Sequence, residues 1–224
     1  MKYGSVIFDM DGVLLNSLVE DEEWKFDAVR KALREKNLNP EEFTRDELRK
    51  FLGDFGREAC IEICEENNID PDDIWKLVAE TTSIARIEKT KKGDFRLYRD
   101  ARMFLEALKP RDPAMAVISN APESAVETTM KFFNLKSYFS FYRGVESFED
   151  LKFRKPHPDH LNIARAELKR SPELYIGDAE SDIKAAKKAG MDAAWINRES
   201  SESDLNPEYT ASDLEELGEV LDLY

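Results

Sequence analysis

Asp9 and Asp11 stand two residues apart directly after a short apolar run, and Gly12 follows where the chain must turn sharply. One carboxylate can attack phosphorus while a second protonates the leaving alkoxide. An acidic turn of this kind also occurs with no chemistry at all. Ser119-Asn120, followed by Ala121-Pro122-Glu123 and a helical pattern, offers hydroxyl and backbone donors that suit a phosphate or a plain helix cap. In Arg154-Lys155-Pro156-His157-Pro158, Lys155 supplies an ammonium for a transferring phosphoryl group, or an exposed charge in a proline-rich loop. Gly177-Asp178 and Ser181-Asp182 offer carboxylate oxygens for a hard cation such as Mg2+, or serve as helix caps.

The elements that must position these residues are readable from apolar runs. Ser5 to Phe8, Ala114 to Ile118, Leu174 to Ile176 and Ala193 to Ile196 read as buried parallel strands. Helical patterns at Asp100 to Lys109, Ser124 to Phe133, Asp159 to Leu168 and Asp182 to Ala189 alternate with them, the last closing on Gly190. That order is α/β, a central parallel sheet in a Rossmann-like three-layer core. In such sheets ligands bind beyond the carboxyl ends of the strands, where all four chemical features fall. Their convergence makes coincidence a poor explanation.

The alternation breaks from Leu18 to about Lys92, where amphipathic helices are expected at Glu20 to Lys36, Arg45 to Leu52, Arg57 to Asn67 and Asp72 to Ile87. Asn39-Pro40 and Asp70-Pro71 separate them. The expected division is a core of residues 1–16 and 93–224 with an inserted α-helical cap of residues 17–92. Glu199 to Asp204, acidic and serine-rich, reads as a surface loop.

A chain of 224 residues buries one substantial core and a small accessory unit at most. A net charge of -14 repels polyanions, so no nucleic acid or anionic membrane is expected as a partner. A small phosphate ester remains admissible where positive charge is concentrated locally. The apolar stretch before Asp9 is too brief for a signal peptide and no run approaches membrane-spanning length, so a cytoplasmic location is expected. Cys60 and Cys64, at helical i, i+4 spacing without nearby Cys or His, read as buried free thiols.

On these motifs the chain resembles the haloacid dehalogenase superfamily, in its phosphatase branch with a helical cap after the first motif, over essentially its whole length. The resemblance implies Asp9 as nucleophile, Asp11 as general acid and base, Ser119 and Asn120 as phosphate binders, and Lys155 as the bridge between Asp9 and phosphate. It implies Mg2+ held by the Asp9 carboxylate, the Asp11 backbone carbonyl and Asp178, with Asp182 as acidic neighbour. The implied activity is hydrolysis of a small-molecule phosphomonoester through an aspartyl-phosphate. Asp11 argues against dehalogenation, which does not need a second acid at that place. A sugar phosphomutase of the β-phosphoglucomutase type is an alternative, but such enzymes place a histidine early in the cap, and here both histidines, His157 and His160, lie in the core segment. A non-catalytic phosphate-binding relative is the other.

Two features depart from the pattern or extend it. Leu15-Asn16-Ser17 stands where relatives often carry Asp-Ser, and an acidic insertion around Glu20 to Glu23 lies near the hinge. In Gly53-Asp54-Phe55-Gly56-Arg57, the glycines let a cap loop approach the site, and Arg57 is expected either to pair with a second anionic group on the substrate or to stand as a helix-start arginine exposed to water.

Overall fold

The computed structural model describes residues 1–17, 22–199 and 204–224. The chain opens with β1 (Ser5–Phe8) and the short β2 (Leu15–Asn16), then runs through α1 (Glu23–Glu35), α2 (Arg45–Phe51), α3 (Arg57–Glu66) and α4 (Pro71–Lys92). It returns through β3 (Arg96–Leu97), α5 (Arg99–Leu108), β4 (Ala114–Pro122), α6 (Glu123–Phe132) and β5 (Phe141–Val145). The remainder is α7 (Asp159–Leu168), β6 (Glu173–Gly177), α8 (Glu180–Ala189), β7 (Asp192–Ile196), β8 (Tyr209–Ala211) and α9 (Leu214–Val220).

Six strands form one parallel sheet in the order β5-β4-β1-β6-β7-β8. Central strand β1 is buried on both faces, and its alternation sorts the layers. Val6 and Phe8 join a core with Phe104 and Leu105 of α5, Val126 and Met130 of α6, and Leu214 and Leu217 of α9. Ile7 faces the opposite core, packed by Leu161 and Ala164 of α7 and Ile183 and Ala186 of α8. This is the three-layer α/β architecture expected from the apolar runs.

Helices α1 to α4 share a separate apolar core that includes Phe26, Leu33, Phe51, Ile63 and Trp75. Val145, Phe148 and Leu151, from β5 and the 3-10 turn after it, enter the same core, so this helical unit is packed against the sheet side as well as within itself. Strands β2 and β3 pair antiparallel, Leu15 with Leu97 and Asn16 with Arg96, so the chain enters and leaves the unit side by side. Thr44 and Glu47 form a capping box at α2, and Asp70 caps α4 with Pro71 in its first turn.

Several elements differ from expectation. α4 runs to Lys92 rather than Ile87, because Lys89, Lys91 and Lys92 suit a helix C-terminus and Gly93, at φ 81, supplies the left-handed cap. β4 continues through Pro122, with its register shifting between Ile118 and Pro122. The half-buried edge strand β5, the short strands β2, β3 and β8, and the final helix α9 lacked an apolar run long enough to announce them. Residues 18–21, including part of the acidic insertion, and residues 200–203 of the acidic serine-rich stretch lie outside the described residues. Cys60 and Cys64 are buried free thiols on α3. No helix among the described residues is long and apolar enough to cross a membrane.

Candidate active site

The carboxyl ends of β1, β4 and β6 open onto a cavity of about 310 Å³ whose opposite wall is built by α1, α4 and the loop after α2. Asp9 follows β1 immediately, and its backbone N–H donates to Ile176 O at 2.8 Å, which ties the residue to the neighbouring strand. Gly12 turns the chain away at φ 79, a conformation a side chain would resist. Asp178 and Asp182 follow β6. Gly177 is needed there for a steric reason, since a Cβ on it would lie 2.3 Å from Asp182 Cβ.

Lys155 is the hub of the site. Its Nζ donates to Asp9 Oδ1 at 2.7 Å, lies 2.5 Å from Asp182 Oδ1, and reaches Tyr175 Oη at 2.9 Å and Ile118 O at 3.2 Å. Tyr175 in turn donates to Asp182 Oδ1 at 3.1 Å. Burial works against the charged lysine, but the charges of Asp182 and Asp9 outweigh it and hold its pKa above the ordinary value. Asn120 braces the lysine loop by accepting from Lys155 N at 2.8 Å and donating to Lys155 O at 3.1 Å. Both ends of its amide are thus engaged with backbone, which makes it foremost a positioning residue. Ser119 Oγ accepts from Ala121 N at 3.1 Å, so its own hydroxyl hydrogen is left to donate.

Three carboxylates, Asp9, Asp178 and Asp182, bring oxygens within 4.8 Å of one another. Asp182 is fully engaged: beyond Lys155 and Tyr175, its Oδ2 accepts from Asp178 N at 3.2 Å and Ala179 N at 3.0 Å. Burial, opposed by Lys155 and reinforced by Asp182 and Asp11, pushes Asp9 up to about 7. Burial and the charges of Asp9 and Asp182 push Asp178 up to about 8. Three acids, Asp9 and Asp182 buried and Asp178 half-buried, against one ammonium leave the cluster short of positive charge. An oxygen-only donor set in that condition fits a hard divalent cation such as Mg2+.

Asp11 faces the helical unit. It accepts from Arg86 of α4, Nη1 to Oδ1 at 2.7 Å and Nη2 to Oδ2 at 3.1 Å, and also from Ser17 Oγ. Burial alone would raise its pKa, but Arg86, with help from Ser17 and Lys25, holds it below the usual carboxylate range. The expectation for Arg57 is corrected here. Arg57 does not line the cavity; its guanidinium pairs with Glu149 and lies 5.0 Å from the centre of the Phe148 ring. The loop instead presents Leu52 and Asp54 to the cavity, and the cations on that side are Lys25, Arg86 and Arg154.

Arg86 and Tyr175 were not singled out in the sequence. A signal for Arg86 existed, because Val78, Thr82, Arg86 and Thr90 recur at i, i+4 spacing on one buried face of α4. A guanidinium within such a face needs a partner, and the partner is a motif carboxylate.

The haloacid dehalogenase-like hydrolase family model matches residues 6–196, a span holding every residue of this site. The chain belongs to the haloacid dehalogenase-like hydrolases. Within that family its relatives include phosphoglycolate phosphatases. It is 28% identical over 187 residues to a phosphoglycolate phosphatase of Rhodobacter capsulatus, covering 84% of this chain and 81% of the relative. To a phosphoglycolate phosphatase of Aquifex aeolicus it is 27% identical over 203 residues, covering 84% and 82%. In fold, this haloacid dehalogenase-like hydrolase superposes on CbbY from Rhodobacter sphaeroides, solved in complex with phosphate, with a TM-score of 0.72 at 20% identity, over 96% of both chains.

Proposed function

We propose that this phosphatase hydrolyses a small-molecule phosphomonoester through an aspartyl-phosphate on Asp9, with Mg2+ as cofactor. The observation that carries the reading is the cluster of Asp9, Asp178 and Asp182 around the buried ammonium of Lys155, opening on a cavity lined also by Ser119 and Asp11.

The Asp9 and Asp178 carboxylates and the Asp11 backbone carbonyl would hold the ion, with Asp182 fixing Lys155 and the Asp178 backbone beside them. When bound, Mg2+ neutralises charge on the transferring phosphoryl oxygens. Asp9 attacks phosphorus in line with the leaving oxygen, forming the Asp9–phosphorus bond as the ester bond breaks. Lys155 favours the ionised form of Asp9 and orients it, and Ser119 donates its free hydroxyl hydrogen to a phosphoryl oxygen. Asp11, which takes up a proton once Arg86 no longer holds it, gives that proton to the departing alkoxide, then removes one from the water that releases phosphate and regenerates Asp9. The helical unit over the sheet acts as a cap that excludes bulk water while this happens. A cytoplasmic location suits such a substrate. The relatives' names make 2-phosphoglycolate the first ester to assay.

The test is phosphate release from a panel of phosphomonoesters. Mg2+ or Mn2+ should be required, EDTA should abolish turnover, and Ca2+ should inhibit, because its larger shell lets Asp9 bind through both oxygens and lose its free one. Full activity in EDTA after dialysis overturns the metal assignment, and an active Asp9→Asn variant overturns the nucleophile.

A further inference from the structure

Arg86 is 7% exposed, yet it lines the cavity shared by Asp9, Asp11 and Lys155. Its guanidinium lies 5.8 Å from the ring centres of both Trp24 and Phe95, which meet edge to face. Those rings flank it. The hydroxyls one turn away do not compete for it, since Thr82 donates to Val78 O at 2.6 Å and Thr90 to Arg86 O at 2.8 Å within the helix. What the fork holds is the Asp11 carboxylate, which accepts from it through both oxygens. A buried Arg–Asp pair contributes little net stability compared with apolar packing. Its place at the wall of the reaction cavity, holding the acid that must serve the leaving group, is therefore what asks for explanation.

We propose that Arg86 is the specificity-determining residue of this site: its guanidinium holds Asp11 in the substrate-free protein and passes that bidentate grip to a carboxylate on the leaving group of the phosphomonoester. The inference rests on the phosphatase reading and deepens it by naming the substrate class, a small ester with a second anionic group. A planar fork matches a carboxylate in a way that a hydroxyl or sugar ring does not. Lys25 lines the same wall and adds positive charge there. A cavity of about 310 Å³ stands at the low end of ligand pockets, which suits a leaving group of few atoms. The exchange also links recognition to chemistry, because Asp11 is let go only when a second carboxylate takes its place.

The experiment compares 2-phosphoglycolate with 2-hydroxyethyl phosphate, which replaces the carboxylate by an alcohol on the same skeleton. The readout is the ratio of their kcat/KM values, in which any common effect of freeing Asp11 cancels. Wild type should prefer 2-phosphoglycolate, and Arg86→Gln should lower the ratio by roughly 10-fold or more, the scale of a lost charge-assisted hydrogen bond. Arg86→Lys, which keeps the charge but not the fork, should fall between and serves if the glutamine variant does not fold. A wild-type ratio near one, or a ratio unchanged in the variants, overturns the proposal. Should wild type cleave neither these two esters nor any other of the panel, the phosphatase reading fails, and calorimetric titration with the same two esters still decides Arg86. A carboxylate preference lost in the variants supports the proposal; equal affinities in wild type overturn it.

Discussion

Tyr175 uses one hydroxyl in two directions, accepting from Lys155 and donating to Asp182, and so holds ammonium and carboxylate at a fixed separation beside Asp9. Burial together with the charges of Asp182 and Asp9 raises its pKa well above the ordinary value, so the hydroxyl stays protonated and remains a donor. Tyr175→Phe removes that oxygen without opening a cavity. We expect kcat to fall about 10-fold with the Mg2+ requirement retained, the scale of one hydrogen bond to a charged group. Steady-state kinetics across Mg2+ concentrations would check it; an unchanged kcat would reduce Tyr175 to core packing. Asp9, Asp11, Lys155 and Asp178 could be picked out in the sequence because each follows a buried apolar strand or stands in a loop between elements, where a charge has few structural duties. Tyr175 and Arg86 could not, since both sit inside regular elements and the partner that gives Arg86 its meaning is 75 residues away.

The junction of β6 and α8 shows how tightly an element end can be set. Gly177 closes the strand, and Asp182, in the first turn of α8, packs against it while accepting from the backbone of Asp178 and Ala179. Gly177→Ala places a methyl group on Asp182 Cβ. The substitution should destabilise the protein by about 1–3 kcal/mol through overpacking and displace the carboxylate that anchors Lys155. Urea unfolding and phosphate release should both report the damage; a variant with wild-type activity would show that Asp182 need not be where it is. The strands bearing the site were legible because parallel strands buried on both faces read as unbroken apolar runs. β5 was not, because Phe141, Tyr142 and Arg143 are only half-buried at the sheet edge. The same limit explains Arg57: its loop was placed near the site correctly, but the pull of Glu149, 92 residues away, turns the guanidinium elsewhere.

Across the whole molecule, the second core joins helices α1 to α4 to Val145, Phe148 and Leu151, so the wall carrying Arg86 is anchored to the sheet by apolar contact. Near that junction, His160 is 1% exposed, with both ring nitrogens lacking a hydrogen-bond partner among the described residues. Burial first, then the charge of Arg143, lowers its pKa to about 4. The unfolded chain, titrating near pH 6.5, then binds more protons at this residue than the folded chain, so its contribution to stability is complete above that pH and lost as pH falls toward 4. Asp9 and Asp178, raised when no metal is bound, act in the opposite sense. His160→Gln isolates the histidine: between pH 7 and pH 5 wild type should lose about 2 kcal/mol more than the variant. Equal losses in urea titrations at the two pH values would mean that His160 can protonate in the folded state.

In the proposed mechanism the phosphoryl group rests on Asp9 between two chemical steps. The most direct measurement is rapid acid quench during turnover of a 32P-labelled phosphomonoester with Mg2+, followed by mapping of the labelled peptide. We expect acid-stable, hydroxylamine-labile label on the peptide holding Asp9 in wild type, and none in Asp9→Asn. Label on another residue, or full turnover by Asp9→Asn, would contradict it.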